Sequence, residues 1–459
     1  MTVLGGPAAA PPALATPSAL AATPASVAQA VFNRMSEDQR IGQLFMLGAP
    51  ASGLGSATVA DIVGSHVGNL ILTGRATSGA ASVRAVTAGA DALTSGAATG
   101  GVPLLIASDQ EGGYVQVLQG PGFSWMPTAL VQGTLSDAVL TADAATWGRQ
   151  VRSAGLDVNL APVMDTVSQA FARQNAPIGY YQREFGYTPT VVADKGSAFL
   201  RGMRSSGLAM TAKHFPGLGR VAGNTDTTVH VVDSVTTRTS PDLVPFKAAI
   251  ASGASLMMVS SAYYSRIDAS RPAVFSPTVI TGMIRGDLHF SGVVVSDDLG
   301  NAAAVQPWSP GARAVGFLLS GGDLVLSVNP VVVPAMVSAV RARVATDPAF
   351  AARVAASVLR VLTLKAAMGL LAPRLVADGI IGPATATALQ RWLGVPTSGW
   401  LDPTTIRALQ WRIGTTADGV WGPMSMGALQ SFLGTYRDGA RTWNARTVVV
   451  LQRYLTTQL

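Results

Sequence analysis

The chain has 459 residues, too many for one ordinary domain, and 48% of them are hydrophobic against 12% charged, so a sizeable core can form. The absence of cysteine excludes disulfides, thiolate metal sites and a cysteine nucleophile. The net charge of +7 comes without runs of lysine or arginine, which argues against a nucleic-acid partner. General solubility is the simplest interpretation of this charge, and attraction to an anionic cell surface is the next.

The first 27 residues consist mainly of alanine, proline, threonine and serine and carry no charged side chain. Such a segment cannot bury enough surface to offset the entropy of ordering, so we predict a disordered stalk over residues 1–27. It lacks a basic start, so it is not an intact signal peptide, and it is typical of the stalk left in an exported bacterial protein. Elsewhere no run of about 18 apolar residues predicts a membrane span.

Short apolar runs then alternate with helical stretches. Eight runs are rich in Val, Ile, Leu and Met, as strands buried on both faces are: 41–48, 67–74, 103–109, 156–165, 208–214, 255–262, 292–297 and 323–328. Between them, residues 240–242 (SPD) and 276–277 (SP) place a hydroxyl and a proline where helices start. The count and order predict an α/β fold, a (β/α)8 barrel of the TIM type over residues 28–372.

After residue 372 the pattern changes to a 20-residue repeat. Glycine recurs at Gly379, Gly399, Gly419 and Gly439, and a Leu-Gln pair follows the first three of these by ten residues. Each unit places a tight turn before a proline-started helix, as in residues 378–383 (DGIIGP). The repeat predicts a small all-α module over residues 373–459. The acidic ligands of a calcium loop are missing.

Five of the eight tryptophans fall in this module: Trp392, Trp400, Trp411, Trp421 and Trp443. Tryptophans can stack on sugar faces, but so small a fold needs large apolar anchors. We therefore expect at least three of the five to belong to its core.

Four predicted barrel strands end in polar side chains. They end at Asp109, at Asp165, at the pair Lys213 and His214, and at Asp297 followed by another acid. The carboxyl ends of barrel strands meet at one face, so these groups predict a pocket lined by carboxylates and a cation, suited to sugar hydroxyls. For any single aspartate, a helix N-cap or a loop anchor is the alternative.

Glycosidases need one group that attacks the sugar and one that protonates the leaving oxygen. Asp297 is placed for attack, and Asp226 and His230 follow a glycine-rich stretch, residues 217–224, that could deliver a proton donor. An aspartate would orient the imidazole of His230, whereas the alternative is an ordinary solvated histidine. The four histidines lack metal-ligand spacing, and the GLG at 217–219 is a poor dinucleotide signal, so we expect neither metal nor cofactor.

Five motifs in order resemble glycoside hydrolase family 3, above all its single-barrel β-N-acetylglucosaminidases. They are 41–46 (IGQLFM), 109–113 (DQEGG), 160–165 (LAPVMD), 212–219 (AKHFPGLG) and 295–299 (VSDDL). The likeness covers residues 30–370. It implies a retaining exo-β-N-acetylglucosaminidase that acts on peptidoglycan or its fragments through a covalent glycosyl-aspartate. The C-terminal repeats resemble peptidoglycan-binding modules, which implies a secreted or wall-associated enzyme.

By this resemblance Asp297 is the nucleophile, and Asp109, Lys213, His214 and Arg183 bind the hydroxyls of the terminal sugar. Arg183 lies in residues 178–186 (IGYYQREFG), a segment two residues longer than the family's usual spacing.

The chain departs from the family pattern at the proton donor. The family carries Asp-Ser-His after the glycine loop, whereas this chain has Asp226 followed by two threonines, with His230 two positions late. The donor is therefore His230, Asp226 or another group. Tyr114 stands where the family often has an arginine.

Three alternatives stay open. The same barrel could act as a β-glucosidase or as a glycoside phosphorylase, or it could have lost catalysis and serve as a wall-binding protein. In each case the expected partner is a glycan rather than a nucleic acid, and we expect a monomer.

Overall fold

The computed structural model describes residues 23–371 and 377–458. Most of the segment predicted to be disordered, residues 1–22, lies outside the described residues, as does the predicted domain boundary at 372 and 373. The prediction of disorder is wrong for residues 24–27, because helix α1 begins at Pro24. The hydroxyl of Thr23 caps that helix by accepting a hydrogen bond from the backbone N–H of Ser26.

The α-helices, in chain order, are α1 Pro24–Arg34, α2 Glu37–Gly42, α3 Ser56–Gly64, α4 Ala80–Asp91, α5 Gly96–Thr99, α6 Ala129–Gln132, α7 Asp137–Ser153, α8 Pro189–Arg204, α9 Val244–Ala251, α10 Pro310–Leu319, α11 Val333–Thr346, α12 Pro348–Ala367, α13 Pro383–Leu393, α14 Pro403–Arg412, α15 Pro423–Phe432 and α16 Ala445–Gln458. Both predicted helix starts are followed by helical turns, of 3-10 type over Pro241–Leu243 and of π type over Thr278–Asp287. None of the described helices combines the length and apolar character needed to cross a bilayer.

The strands, in chain order, are β1 Phe45–Pro50, β2 Asn69–Thr73, β3 Leu105–Ser108, β4 Gln110–Gly112, β5 Val115–Gln116, β6 Val158–Asn159, β7 Ala209–Phe215, β8 Val232–Asp233, β9 Leu256–Val259, β10 Tyr263–Tyr264, β11 Asp268–Pro272, β12 Val293–Ser296 and β13 Val325–Ser327. Eight of them form one parallel sheet in the order β12-β9-β7-β6-β3-β2-β1-β13. Each falls within or overlaps a predicted run, so the α/β barrel prediction is confirmed. The first run starts too early, because residues 41–42 belong to α2, whose capping box joins Ser36 and Gln39.

The barrel closes between its end strands, β12 and β13, through side chains as well as backbone. The hydroxyl of Ser296 accepts from the backbone N–H of Leu326 at 2.9 Å, and the carboxylate of Asp298 accepts from that of Val328 at 3.0 Å. These two side chains flank Asp297 in the sequence. The residue predicted to be the nucleophile therefore stands at a seam that is fixed on both sides.

Apolar side chains fill the barrel interior, and a helix covers one end of it. Val361 of α12 packs with the inward-facing side chains of the strands. The ammonium of Lys365, one helical turn further on, donates to the side-chain oxygen of Gln43 and to the carbonyls of Gly68 and Pro103. Those three residues precede β1, β2 and β3, so α12 covers the amino-terminal end of the strands. The opposite end, at the carboxyl termini of the strands, is where a pocket forms.

The C-terminal helices α13–α16 form the predicted repeat module around a leucine core. The Leu-Gln glutamines organise it: Gln410 is buried and donates to Asp418, in the turn that follows its own helix, and to the carbonyl of Val420. The last glutamine, Gln452, donates to Asp378 of the first turn, so the repeats close on themselves.

The tryptophans of this module divide as expected. Trp392, Trp421 and Trp443 pack against its core, whereas Trp400 and Trp411 are exposed. The expectation that at least three are core residues is confirmed.

Candidate active site

A pocket of about 440 Å³ opens at the carboxyl end of the barrel strands. Asp165 and His230 do not line it, whereas six of the residues singled out in the sequence do: Asp109, Arg183, Lys213, His214, Asp226 and Asp297. The pocket floor is apolar, with side chains from several strands and the residues that follow them: Ile71, Leu160, Met258, Leu326 and Val328. Charged rim groups above an apolar floor suit a ligand with polar edges and a less polar face.

One buried cation joins two of the strand ends. Lys213 lies in β7, and its ammonium is 2.6 Å from a carboxylate oxygen of Asp109, directly after β3, and 2.6 Å from one of Glu111 in β4. Burial alone would lower the pKa of Lys213, but the two carboxylates outweigh it and raise this pKa. The lysine therefore stays charged, and Asp109 retains exposed surface toward the pocket.

Arg183 reaches the pocket from a loop rather than a strand. Its guanidinium holds both oxygens of Glu111 in a two-pronged contact of 2.8 and 2.9 Å and donates to the carbonyl of Pro177. Burial raises the pKa of Glu111, but the positive charges of Arg183 and Lys213 outweigh it and lower this pKa to about 2. Glu111 thus fixes both cations of the pocket.

We predict that Glu111→Gln removes a pH-dependent part of the stability. The folded pKa of about 2 lies below the ordinary 4.5, so ionised Glu111 stabilises the fold above about pH 4.5, and this contribution is lost as the pH falls toward 2. Because two buried cations lose their counter-charge, the variant should lose about 3–5 kcal/mol of unfolding free energy at pH 7. Urea unfolding at several pH values measures both effects.

The matched control for this prediction is Asp137→Asn, since Asp137 pairs with Lys195 through a carboxylate that is about half exposed. It should change the unfolding free energy by less than about 1 kcal/mol. Parallel stability curves for Glu111→Gln and the unsubstituted protein between pH 5 and 2 would contradict the role given to Glu111.

His214 is oriented by a carboxylate that does not itself line the pocket. Its Nδ1 lies 2.7 Å from Asp165, which also accepts the backbone N–H of Leu218 at 2.8 Å. Asp165 is fully buried and His214 nearly so. The contact fixes the ring with Nδ1 toward the carboxylate and leaves Nε2 for a ligand.

Asp297 follows β12 directly, is half-buried and lines the pocket. One of its carboxylate oxygens accepts the backbone N–H of Asp298 at 2.9 Å. Asp298 lines the pocket as well, but its carboxylate oxygens accept backbone N–H groups of Gly300, Asn301 and Val328. The two consecutive acids therefore differ in role, since the carboxylate of Asp298 holds the loop through three backbone contacts, whereas that of Asp297 accepts one.

Asp226 reaches the pocket from the long loop after β7. The loop is attached to the segment after β12, where the N–H groups of Ala303 and Ala304 donate to the carbonyls of Asp226 and Thr225. Asp226 is exposed as a whole and is one of the residues that line the pocket. Partial loss of water there, together with the negative charge of Asp297, raises the pKa of Asp226.

His230 is not brought to the pocket. It is exposed, and its ring packs against the ring of Tyr263 with 4.4 Å between centroids. The reason lies two residues on, where Val232 starts β8 and pairs with Tyr263 of β10 in a small separate sheet. This pairing draws the chain away from the pocket after Asp226.

Sequence reasoning missed the parts played by Glu111 and Asp165. Glu111 stands in the DQEGG motif two residues after Asp109, so an acid in the motif was the available signal. Asp165 was recognised as a strand-end acid, but its partner His214 is 49 residues away, and nothing local links them. Among residues 23–371 and 377–458, no group of three or more His, Asp or Glu side chains is arranged to hold a metal ion.

A TIM-type barrel whose strand ends gather aspartates, a lysine and a histidine into one pocket is an arrangement typical of glycoside hydrolases. The model of the glycosyl hydrolase family 3 N-terminal domain matches residues 36–364. The chain belongs to this family.

Three similar proteins are hexosaminidases or N-acetylglucosaminidases by name. A beta-hexosaminidase of Stenotrophomonas maltophilia (strain K279a) is 40% identical over 253 residues, covering 52% of this chain and 72% of the relative. The crystal structure of a β-N-acetylhexosaminidase from Beutenbergia cavernae DSM 12333 is 50% identical, with a TM-score of 0.71, covering 73% of this chain and 99% of that one. A family 3 β-N-acetylglucosaminidase from Paenibacillus sp. str. FPU-7 is 29% identical, with a TM-score of 0.66 and coverage of 73% and 63%. This chain is a glycoside hydrolase of the β-N-acetylhexosaminidase type.

Proposed function

We propose that this protein is a retaining exo-β-N-acetylglucosaminidase that acts on peptidoglycan or its fragments. The observation that carries the catalytic part is the pair of unlike carboxylates in one pocket: Asp297 on a rigid strand end and Asp226, with a raised pKa, on a loop. An acid with a raised pKa can hold a proton for the leaving oxygen, and a second carboxylate in the same pocket can attack the sugar.

In the proposed mechanism Asp297 attacks the anomeric carbon, and its C–O bond forms as the bond to the leaving oxygen breaks. Asp226 gives its proton to that oxygen, so the leaving group departs neutral. Water then gives a proton to Asp226 and attacks the same carbon, which releases the sugar with its original configuration and regenerates both acids. Lys213, Arg183 and His214 position the sugar hydroxyls during both steps.

One experiment tests both the preferred sugar and the molecule that accepts it, which is water in hydrolysis and phosphate in phosphorolysis. The unsubstituted protein should hydrolyse an aryl β-N-acetylglucosaminide with a higher kcat/KM than the aryl β-glucoside. Added phosphate should leave the rate and the product, free N-acetylglucosamine, unchanged. A preference for the glucoside, or the appearance of a sugar phosphate, would instead support the β-glucosidase or the phosphorylase.

The C-terminal module supports a wall-bound, secreted enzyme. Its exposed Trp400 and Trp411 are not needed for its core, so they are available to contact a glycan. Tethering to the wall would raise the effective substrate concentration without changing the chemistry.

This part of the proposal has its own experiment. The full chain should sediment with insoluble peptidoglycan, and the double variant Trp400→Ala, Trp411→Ala should sediment at least several-fold less. The aryl glycoside, which is not attached to a wall, should be hydrolysed by both proteins at the same rate. Equal sedimentation of the two proteins would count against tethering through these side chains.

A further inference from the structure

Three tyrosines with large exposed surfaces lie together on the barrel domain. Tyr114 is 60% exposed, Tyr180 65% and Tyr181 39%. The rings of Tyr114 and Tyr181 meet edge to face with 6.0 Å between centroids, and those of Tyr180 and Tyr181 do so at 5.0 Å. We call these three residues the tyrosine cluster. Single exposed aromatic residues are ordinary, whereas a contiguous group of them marks a contact surface.

The cluster lies beside the mouth of the pocket. Tyr114 is in the two-residue turn that joins β4 and β5, and the next residue, Val115, lines the pocket. Tyr180 and Tyr181 lie between Pro177 and Arg183, both of which line the pocket as well. The tyrosines therefore lie outside the part of the pocket wall where Lys213 and Arg183 bind Glu111.

Both parts of the tyrosine cluster are attached to the same stretch of chain. Next to Tyr114, the N–H of Gly113 donates to the carbonyl of Met126 at 2.8 Å. Next to Tyr181, the carbonyl of Gln182 accepts from the N–H of Leu130. The backbone that carries the rings is thus held in place before a ligand arrives, which lowers the entropic cost of binding.

The two departures from the family pattern meet here. Tyr114 stands in place of an arginine, and the other two tyrosines lie in the segment that is two residues longer than usual.

We propose that the tyrosine cluster is the subsite for the sugar on the leaving side of the cleaved bond. A pocket of about 440 Å³ is at the small end of ligand pockets and suits one sugar with its substituents. The charged groups hold that sugar, so the next one must lie beyond the mouth. Aromatic rings with apolar faces and a polar hydroxyl match a pyranose, which has an apolar C–H face and polar edges.

This inference rests on the proposed exo-glycosidase function and adds a preference to it. A leaving group that reaches the cluster gains contact area there, whereas a methyl leaving group does not. The enzyme should therefore favour a sugar as leaving group over a small alkyl group.

The test compares two substrates in the full chain: β-1,4-linked di-N-acetylglucosamine and methyl β-N-acetylglucosaminide. The double variant Tyr114→Ala, Tyr181→Ala should lower kcat/KM for the disaccharide about 10-fold, mainly through KM. For the methyl glycoside the fall should stay below about two-fold. The double variant to phenylalanine keeps the rings and should retain most of the activity on the disaccharide.

The matched control is Tyr436→Ala, a similarly exposed tyrosine of the C-terminal module, which should change neither substrate's kcat/KM. If the unsubstituted protein cleaves both substrates and the double alanine variant lowers both equally, or lowers neither, the subsite is overturned and the glycosidase stands. If the unsubstituted protein cleaves neither, the proposed function fails and the subsite fails with it.

Discussion

Replacing Asp297 with alanine is expected to lower kcat for an aryl β-N-acetylglucosaminide by a factor on the order of 10⁴ or more. Asp297 is a pocket carboxylate that follows a barrel strand directly, and the flanking contacts of Ser296 and Asp298 leave it little freedom to move. Without it, no covalent intermediate forms, and water must attack an unassisted sugar. Steady-state kinetics with the purified variant measures the loss.

Adding azide to the assay of the Asp297→Ala variant tests whether Asp297 is the nucleophile, beyond the loss of activity itself. In Asp297→Ala the small anion can occupy the vacated space and attack the anomeric carbon directly, which yields the α-glycosyl azide by a single inversion. Asp287→Ala, which removes an exposed carboxylate paired with Arg238, is the control and should keep full activity. Retained activity in Asp297→Ala, or formation of the β-azide, would contradict the assignment of the nucleophile.

Asp226→Ala is expected to give the second-largest effect, a loss in kcat on the order of 10²–10⁴ for substrates with poor leaving groups. A dinitrophenyl leaving group needs no proton, so bond cleavage should be far less affected with that substrate. Azide should now attack the glycosyl-enzyme and give the β-azide, because two inversions have taken place. Comparing leaving groups therefore separates a proton donor from a residue that only shapes the pocket.

The pH dependence gives an independent check on Asp226. Its pKa is raised by partial loss of water and by the charge of Asp297, so the acid stays protonated to a higher pH than an ordinary aspartic acid. The rate should fall as the pH rises through this pKa, and that alkaline limb should disappear in Asp226→Ala. His230→Ala should keep the limb, since His230 packs against Tyr263 outside the pocket. Loss of the limb in His230→Ala instead would make the histidine the donor.

The barrel and much of its pocket could be predicted from residues close together in the chain. Strands buried on both faces must be apolar throughout, and polar groups at their ends then stand out, as Asp109, Lys213 and Asp297 do. Because the carboxyl ends of parallel strands converge, such residues gather in the pocket whatever their separation along the chain. The 20-residue spacing of Gln390, Gln410 and Gln430 is equally local, since each of these three holds the turn that follows it.

Which of two loop residues lines the pocket could not be predicted in this way. Asp226 and His230 are four residues apart on one loop, and both are chemically able to donate. The choice depends on contacts with distant segments, since the N–H of Ala303 holds Asp226 at the pocket while pairing of β8 with β10 takes His230 away.

The sequence by itself determined the barrel, the repeat module and the strand-end residues, because each follows from a periodic or terminal pattern within one element. Only the tertiary structure decided that Glu111 holds both Arg183 and Lys213, that Asp165 orients His214, and that three tyrosines form one surface. Those contacts join side chains from separate loops and strands. Their geometry depends on where the packed elements place the loop ends, and no local pattern carries that information.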